Sequence, residues 1–228
     1  KIREGMLLSK SELARKAGLE IQGHTAVTRF NRGDLEKTAR LLAAEGIVLW
    51  SVFFLVPTGR GRAEDLLSAD EHEEVYHLLY DLSKEMPFDI KTTCGPAYRR
   101  VAIQRRMAEK GVARIDAFPA GGTAVPGIAR APLPVNDGNG FVFVSHIGEV
   151  WPSGFLPISA GNVRTGSLAA IYRESPLFTG LRDFTRITGK CGACGFRAIC
   201  GGSRARAYAM TGDLAASDPS CSYLPPGW

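Results

Sequence analysis

Four of the five cysteines in this 228-residue chain fall in one short C-terminal segment. They are Cys191, Cys194, Cys200 and Cys221, and their spacing is C-x2-C-x5-C-x20-C. A two-residue gap lets both thiolates reach one metal centre, and the two later cysteines complete a tetrahedral set of sulfur ligands. Soft thiolates select zinc or an iron–sulfur cluster. The spacing predicts a metal centre, but it neither decides between these two centres nor excludes disulfides.

The surroundings of these cysteines favour an iron–sulfur cluster. No stretch reads as a signal peptide or a membrane span, which predicts a reducing, cytoplasmic location where such cysteines are more often metal ligands than disulfides. The thiols are flanked by Gly192, Gly195, Gly201 and Gly202. Glycines let backbone amides approach and donate to cluster sulfides, whereas a zinc knuckle does not require so many.

The net charge of the chain is compatible with several classes of binding partner. The net charge is +5, yet the chain has no basic run interleaved with aromatic residues and no known nucleic-acid motif. We therefore expect no nucleic-acid partner and no membrane partner. A solvated basic face, or a pocket for a small anionic substrate, accounts equally well for the excess of basic residues.

Residues 1–110 alternate between strand and helix patterns, which predicts an α/β fold with a parallel sheet. The apolar run Ile47–Val56 is typical of a parallel strand buried on both faces. The pattern predicts strands over 19–28, 47–56 and 88–93, and helices from Asp34 to Gly46, from the capping box Ser68-x-x-Glu71 to Met86, and from Ala97 to Lys110. The last helix is strongly basic, and a solvated face is preferred over a substrate contact for Arg99, Arg100, Arg105 and Arg106.

A change of composition divides the chain. Residues 111–140 are rich in glycine, proline and alanine and have no sustained period, so they read as a linker or loop. Residues 141–151 then predict a hairpin, and short helices follow near Leu168 and Pro176. The predicted division is 1–110, 111–140 as the linker, and 141–228 as a small α+β domain.

The run CGACGFRAICGGSRARAYAMTGD...DPSC resembles the SPASM domain of radical S-adenosylmethionine (SAM) enzymes. It is most similar to the branch for alternative haem and haem d1 biosynthesis and its uncharacterised relatives. The resemblance implies that Cys191, Cys194, Cys200 and Cys221 bind one auxiliary [4Fe–4S] cluster. A second, inner cluster is not expected, because Ser153 and Arg204 stand where cysteines of that cluster would be.

The runs AGLEIQGHTAVTR, IVLWSVFFLVPTGRG and FDIKTT resemble the later strands of a radical SAM partial (β/α) barrel. The chemistry of barrel enzymes lies at the carboxyl ends of the strands. The resemblance implies that Thr25 and His24 lie on the SAM side of the barrel, although relatives usually carry asparagine at the position of His24. Cys94 reads as a plain buried thiol, with a reactive role as the alternative.

Radical SAM enzymes hold their catalytic cluster through C-x3-C-x2-C, and that motif does not occur in these 228 residues. The resemblance therefore predicts the C-terminal part of a longer parent, inactive alone. The parent would bind SAM and a second [4Fe–4S] cluster, and a ferredoxin or flavodoxin would supply electrons.

Three functions follow from this reasoning. The first is oxidative side-chain chemistry on a tetrapyrrole, in which a 5′-deoxyadenosyl radical abstracts hydrogen from the substrate. The second is maturation of a ribosomally made peptide, and the third is a non-enzymatic zinc or iron–sulfur module. Arg197, Arg204 and Arg206 are expected to offset the charge of the cluster, with pairing to substrate carboxylates as the alternative.

Overall fold

The computed structural model describes residues 11–112 and 135–228. The described part of α1 covers residues 11–16. The first range then contains β1 (Gln22–Val27), α2 (Leu35–Ala44), β2 (Leu49–Phe54), α3 (Ala69–Glu85), β3 (Asp89–Thr93) and α4 (Ala97–Lys110). The second range contains β4 (Phe143–Val144), β5 (Val150–Trp151), α5 (Leu168–Glu174), α6 (Pro176–Arg182), α7 (Gly189–Ala193) and α8 (Arg204–Thr211).

The first three strands form a parallel sheet in the order β1-β2-β3. The register pairs Thr25 with Val52, and Val52 with Thr92. The apolar run predicted as a doubly buried strand is the central strand, β2, as its sequence requires. The expected α/β arrangement is confirmed.

Helices cover one face of this sheet. Trp50, Val52 and Phe54 point into that layer and belong to the main core, together with apolar residues of α2, α3 and α4. The opposite face is exposed at the outer strands, at His24 and Lys91, whereas Leu49 and Ser51 of the central strand are buried on that face.

Capping and terminating residues in the sequence correctly predict where α3 and α4 begin and end. Ser68 and Glu71 form the predicted capping box at the start of α3, with both reciprocal hydrogen bonds present. The helix α4 covers the predicted residues and ends at Gly111, which has φ +62°. Asp34 occupies the N-cap of α2 as expected, but its side chain makes no capping hydrogen bond.

The second range packs on the carboxyl end of the sheet. Strands β4 and β5 form the predicted antiparallel hairpin, with Phe143 stacked on Trp151. A smaller core joins Val56, which follows β2, to Leu156, to Leu181 of α6 and to Ala205 of α8. The C-terminal segment is thereby held against the strand ends.

The predicted linker over 111–140 lies mostly outside the described residues. Its last part, residues 135–140, contacts the cysteine segment, where the Asn136 side-chain amide donates to the carbonyls of Cys200 (3.3 Å) and Gly202 (2.9 Å). The division into 1–110, 111–140 and 141–228 stays a prediction. Within the described ranges, none of the helices has the length and apolarity needed to cross a membrane.

Candidate metal centre

The four clustered cysteines line one pocket. Cys191 lies in α7, Cys194 ends that helix, and Cys200 and Cys221 lie before and after α8. All four are free thiols. Cysteines separated by up to thirty positions in the sequence therefore line the same space, and their role as metal ligands stays a prediction.

Backbone amides point at these sulfurs. The N–H groups of Phe196, Gly202 and Asp218 donate to Sγ of Cys194 (3.4 Å), Cys200 (3.5 Å) and Cys191 (3.4 Å), respectively. The N–H of Tyr223 hydrogen-bonds Cys221 and opposes the rise of its pKa. Hydrogen bonds of this kind favour the thiolate form and are the outer contacts that cluster sulfurs require. The donor set thus fits an iron–sulfur group.

Two of the flanking glycines are sterically required. A Cβ on Gly202, which has φ +66°, would lie 3.3 Å from Cys191 Sγ and 2.9 Å from the Asp218 Cβ. A Cβ on Gly192 would lie 2.1 Å from the carbonyl oxygen of Ile187. Gly195 has open space in that direction. Close packing of the thiols therefore depends on Gly192 and Gly202, while Gly195 has no such constraint.

Burial disfavours the thiolate form of two of the pocket cysteines, Cys200 and Cys221. Burial raises the pKa of Cys200 to about 12, against the opposing effect of the Gly202 N–H. Burial also raises the pKa of Cys221, and the Arg100 guanidinium opposes that rise. A bound metal deprotonates such ligands outright, so metal binding here would release protons.

In residues 11–112 and 135–228, no three His, Cys, Asp or Glu side chains are placed as ligands of a single metal ion. The preference for a cluster over zinc rests on the amide donors around the sulfurs.

The helix α4 supplies basic residues that the sequence assigned to solvent. Arg100 is only 2% exposed, pairs with Glu73 of α3, and lines the cysteine pocket. Its guanidinium lies 4.6 Å from the ring centroid of Tyr223. Arg99 donates to the carbonyls of Ile199 (3.4 Å) and Val135 (3.2 Å). The predicted solvated face is wrong for Arg100, because Glu73 on the facing helix draws it inward.

A buried ion pair joins the cysteine segment to the sheet. Arg206 and Asp218 lie 3.0 Å apart, both almost fully buried. Arg206 Nη1 donates to the carbonyls of Leu55 (3.3 Å) and Cys94 (3.0 Å), which directly follow β2 and β3. Since the Asp218 N–H donates to Cys191, a short chain of contacts runs from a candidate ligand to the strand ends. In the sequence, the Asp-Pro pair at Asp218 signals a turn and gives no indication of this ion pair.

The other two arginines of the segment brace its backbone. Arg204 Nη1 donates to the carbonyls of Leu214 (2.8 Å) and Ala216 (2.6 Å), and Arg197 Nη1 donates to that of Gly192 (2.9 Å). Arg197 also lines the cysteine pocket, so its charge lies near the sulfurs.

The two predicted SAM-side residues face opposite ways. Thr25 lies toward the helical layer, where its hydroxyl accepts from Trp50 Nε1 at 2.9 Å. His24 lies on the opposite face, where it is exposed and stacks on Phe53, with ring centroids 5.5 Å apart. This favours His24 over Thr25 for contact with a ligand on that face, and both assignments stay predictions. Cys94 is not among the pocket residues, has φ +56°, and burial raises its thiol pKa to about 12.

No family model matches the chain, but curated relatives align over almost all of it. An AdoMet-dependent heme synthase of Methanosarcina barkeri is 39% identical over 218 residues, covering 96% of this chain and 60% of the relative. The AdoMet-dependent heme synthase of Nitratidesulfovibrio vulgaris is 41% identical over 213 residues, covering 92% and 56%. The pre-heme d1 synthase of Dinoroseobacter shibae is 27% identical over 229 residues, covering 91% and 52%. The chain thus spans 52% to 60% of the length of these relatives.

Two solved structures share the fold. Streptococcus suis SuiB bound to precursor peptide SuiA has a TM-score of 0.60 at 14% identity, covering 97% of this chain and 49% of SuiB. The protein anSMEcpe, with bound AdoMet and Cp18Cys peptide, has a TM-score of 0.56 at 13% identity, covering 93% and 56%. With these relatives and this shared fold, the chain belongs to the radical SAM/SPASM family, as its cysteine segment predicted.

Proposed function

We propose that Cys191, Cys194, Cys200 and Cys221 hold one auxiliary [4Fe–4S] cluster. The observation that carries this proposal is the convergence of four free thiols on one pocket, each sulfur with a backbone N–H directed at it. The departure from the inner-cluster pattern at Ser153 and Arg204 supports one cluster instead of two.

The residues around the pocket would hold and tune the bound group. When bound, the cluster supplies a one-electron acceptor or relay beside the substrate. The four thiolates fix its position, and the backbone amides offset part of its negative charge. Arg100 and Arg197 add positive charge at the wall of the pocket, and the Arg206–Asp218 pair ties the pocket to the strand ends.

We place this chain in an enzyme that oxidises a carboxylate side chain of a tetrapyrrole. Identities of 39% and 41% to heme synthases, over more than nine-tenths of the chain, support this substrate class. SAM and a second [4Fe–4S] cluster would be bound only in the longer parent, and a ferredoxin or flavodoxin would be the electron donor.

Maturation of a ribosomally made peptide is the second candidate. The SuiB structure contains a precursor peptide, and the fold of SuiB matches 97% of this chain. Its 14% identity is far below that of the heme synthases, which is why the tetrapyrrole is preferred. The two substrates can be separated by fluorescence titration with a porphyrin dicarboxylate. The tetrapyrrole is supported if the dicarboxylate quenches the protein fluorescence saturably and the dimethyl ester of the same porphyrin does not. If the dicarboxylate produces no saturable quenching, the peptide is favoured.

Anaerobic metal analysis tests the cluster itself. After reconstitution we expect about four irons and four sulfides per chain, with a signal in the electron paramagnetic resonance (EPR) spectrum after reduction. Alanine at any of the four pocket cysteines should abolish this content. Cys94→Ala is the matched control, because Cys94 lies outside the pocket, and it should retain the full complement. One zinc per chain without sulfide would refute the cluster and leave a zinc-stabilised module.

A further inference from the structure

Three arginines are almost fully buried in the described part of the chain, and one of them faces the candidate cluster. Arg100, Arg204 and Arg206 are each at most 2% exposed. Every nitrogen of the Arg206 guanidinium has a partner, and Arg204 lines a separate groove beside α6. Arg100, by contrast, lines the pocket that contains the four cysteines.

One N–H group of the Arg100 guanidinium, the Nε–H, has no hydrogen-bond partner among the described residues. Arg100 Nη1 donates to Glu73 (2.8 Å) and to Gln104 (2.7 Å), and Nη2 donates to the other oxygen of Glu73. The Nε–H itself is buried. A buried N–H without a partner costs folding free energy, so such a group indicates a missing acceptor.

The position of the guanidinium is fixed on two sides. The forked pairing with Glu73 sets its plane, and the ring of Tyr223 covers it at 4.6 Å. Tyr223 also packs edge-on against Phe196, and the backbone amides of both residues hydrogen-bond pocket cysteines. The arginine is thus held by Glu73 and by Tyr223, whose backbone N–H bonds Cys221, so its Nε–H is a preorganised donor.

We propose that Arg100 donates its Nε–H to sulfur of the group bound by Cys191, Cys194, Cys200 and Cys221. This contact raises the reduction potential of that group, because hydrogen bonds to sulfur stabilise the more negative, reduced state. Arg100 is a positioning and tuning residue contributed by α4, which lies outside the cysteine segment. The inference rests on the proposed cluster.

Redox titration of the reconstituted protein tests it. Arg100→Lys keeps the positive charge but has no Nε–H. At a fixed potential it should lower the ratio of reduced to oxidised cluster about tenfold, which corresponds to a reduction potential lower by about 59 mV for one electron. Arg105→Met removes a charge from the same helix, where Arg105 pairs with Asp81 outside the pocket. This control should change the ratio less than twofold. A wild-type ratio in Arg100→Lys overturns the proposal.

A spectroscopic measurement covers the case in which Arg100→Lys fails to fold. Protein carrying 15N at the arginine Nε, reduced and studied by pulsed EPR, should show a nitrogen coupling to the cluster spin. Absence of that coupling in protein with a full cluster overturns the role of Arg100. Absence of iron and sulfide in the wild-type protein refutes the cluster instead, so the two failures are distinguishable.

Discussion

Replacing Arg206 by methionine tests whether the buried ion pair holds the two parts of the molecule together. Methionine fills similar volume but leaves the Asp218 carboxylate buried without its cation. It also removes the donor shared by the carbonyls of Leu55 and Cys94. Breaking one partner of a buried pair typically costs about 3–5 kcal/mol. The amides of Ser203 and Ser220 still donate to Asp218, so a loss near the middle of that range, about 4 kcal/mol, is expected.

Urea unfolding of the apo protein, followed by tryptophan fluorescence, measures this loss. Trp50 reports on the sheet core and Trp151 on the hairpin, while Trp228, near the end of the second part, is already exposed in the folded protein. The matched control is Arg105→Met, because the Arg105–Asp81 pair is partly exposed, with side chains 30% and 49% exposed, and should contribute about 1 kcal/mol or less. A loss below about 1 kcal/mol for Arg206→Met would contradict the assigned role. Adding Asp218→Asn to Arg206→Met should restore part of the stability, since the uncompensated charge is then removed.

Two further predictions follow from single positions. Gly192→Ala should abolish iron and sulfide binding, because its Cβ would collide with the carbonyl of Ile187, whereas Gly195→Ala should bind normally; equal iron content in both variants would contradict this. Burial lowers the pKa of His72 to about 4. As pH falls, the unfolded chain therefore binds a proton at this histidine before the folded protein does. The free energy of unfolding should drop by about 3 kcal/mol between pH 6.5 and pH 4. His72→Phe should remove this contribution in urea titrations at the two pH values, and an unchanged slope would refute it.

Local patterns in the sequence were sufficient for the three parallel strands and for α2, α3 and α4. The helix from Ala97 to Lys110 could be placed to the residue, because Pro96 and Gly111 mark its ends. The cysteine spacing grouped the four thiols that line one pocket, and the metal they would bind stays a prediction.

Contacts between side chains that are distant in the sequence could not be predicted from local patterns. The inward turn of Arg100 depends on Glu73, 27 residues earlier on a different helix. The role of Asp218 depends on a salt bridge to α8, while its own surroundings in sequence signal only a turn. The alternation of side chains sent Thr25 and His24 to opposite faces of the sheet, and which face carries the helices is decided by tertiary packing.

The contact of Arg206 with the strand ends has a consequence for how such a protein diversifies. The acceptors at Leu55 and Cys94 are main-chain carbonyls, which every amino acid provides. Position 55 can therefore change its side chain without loosening the join, and position 94 can do so among residues that accept φ near +56°, such as glycine or asparagine. Side chains at the carboxyl end of the sheet are thus free to change while the attachment of the cysteine segment stays constant.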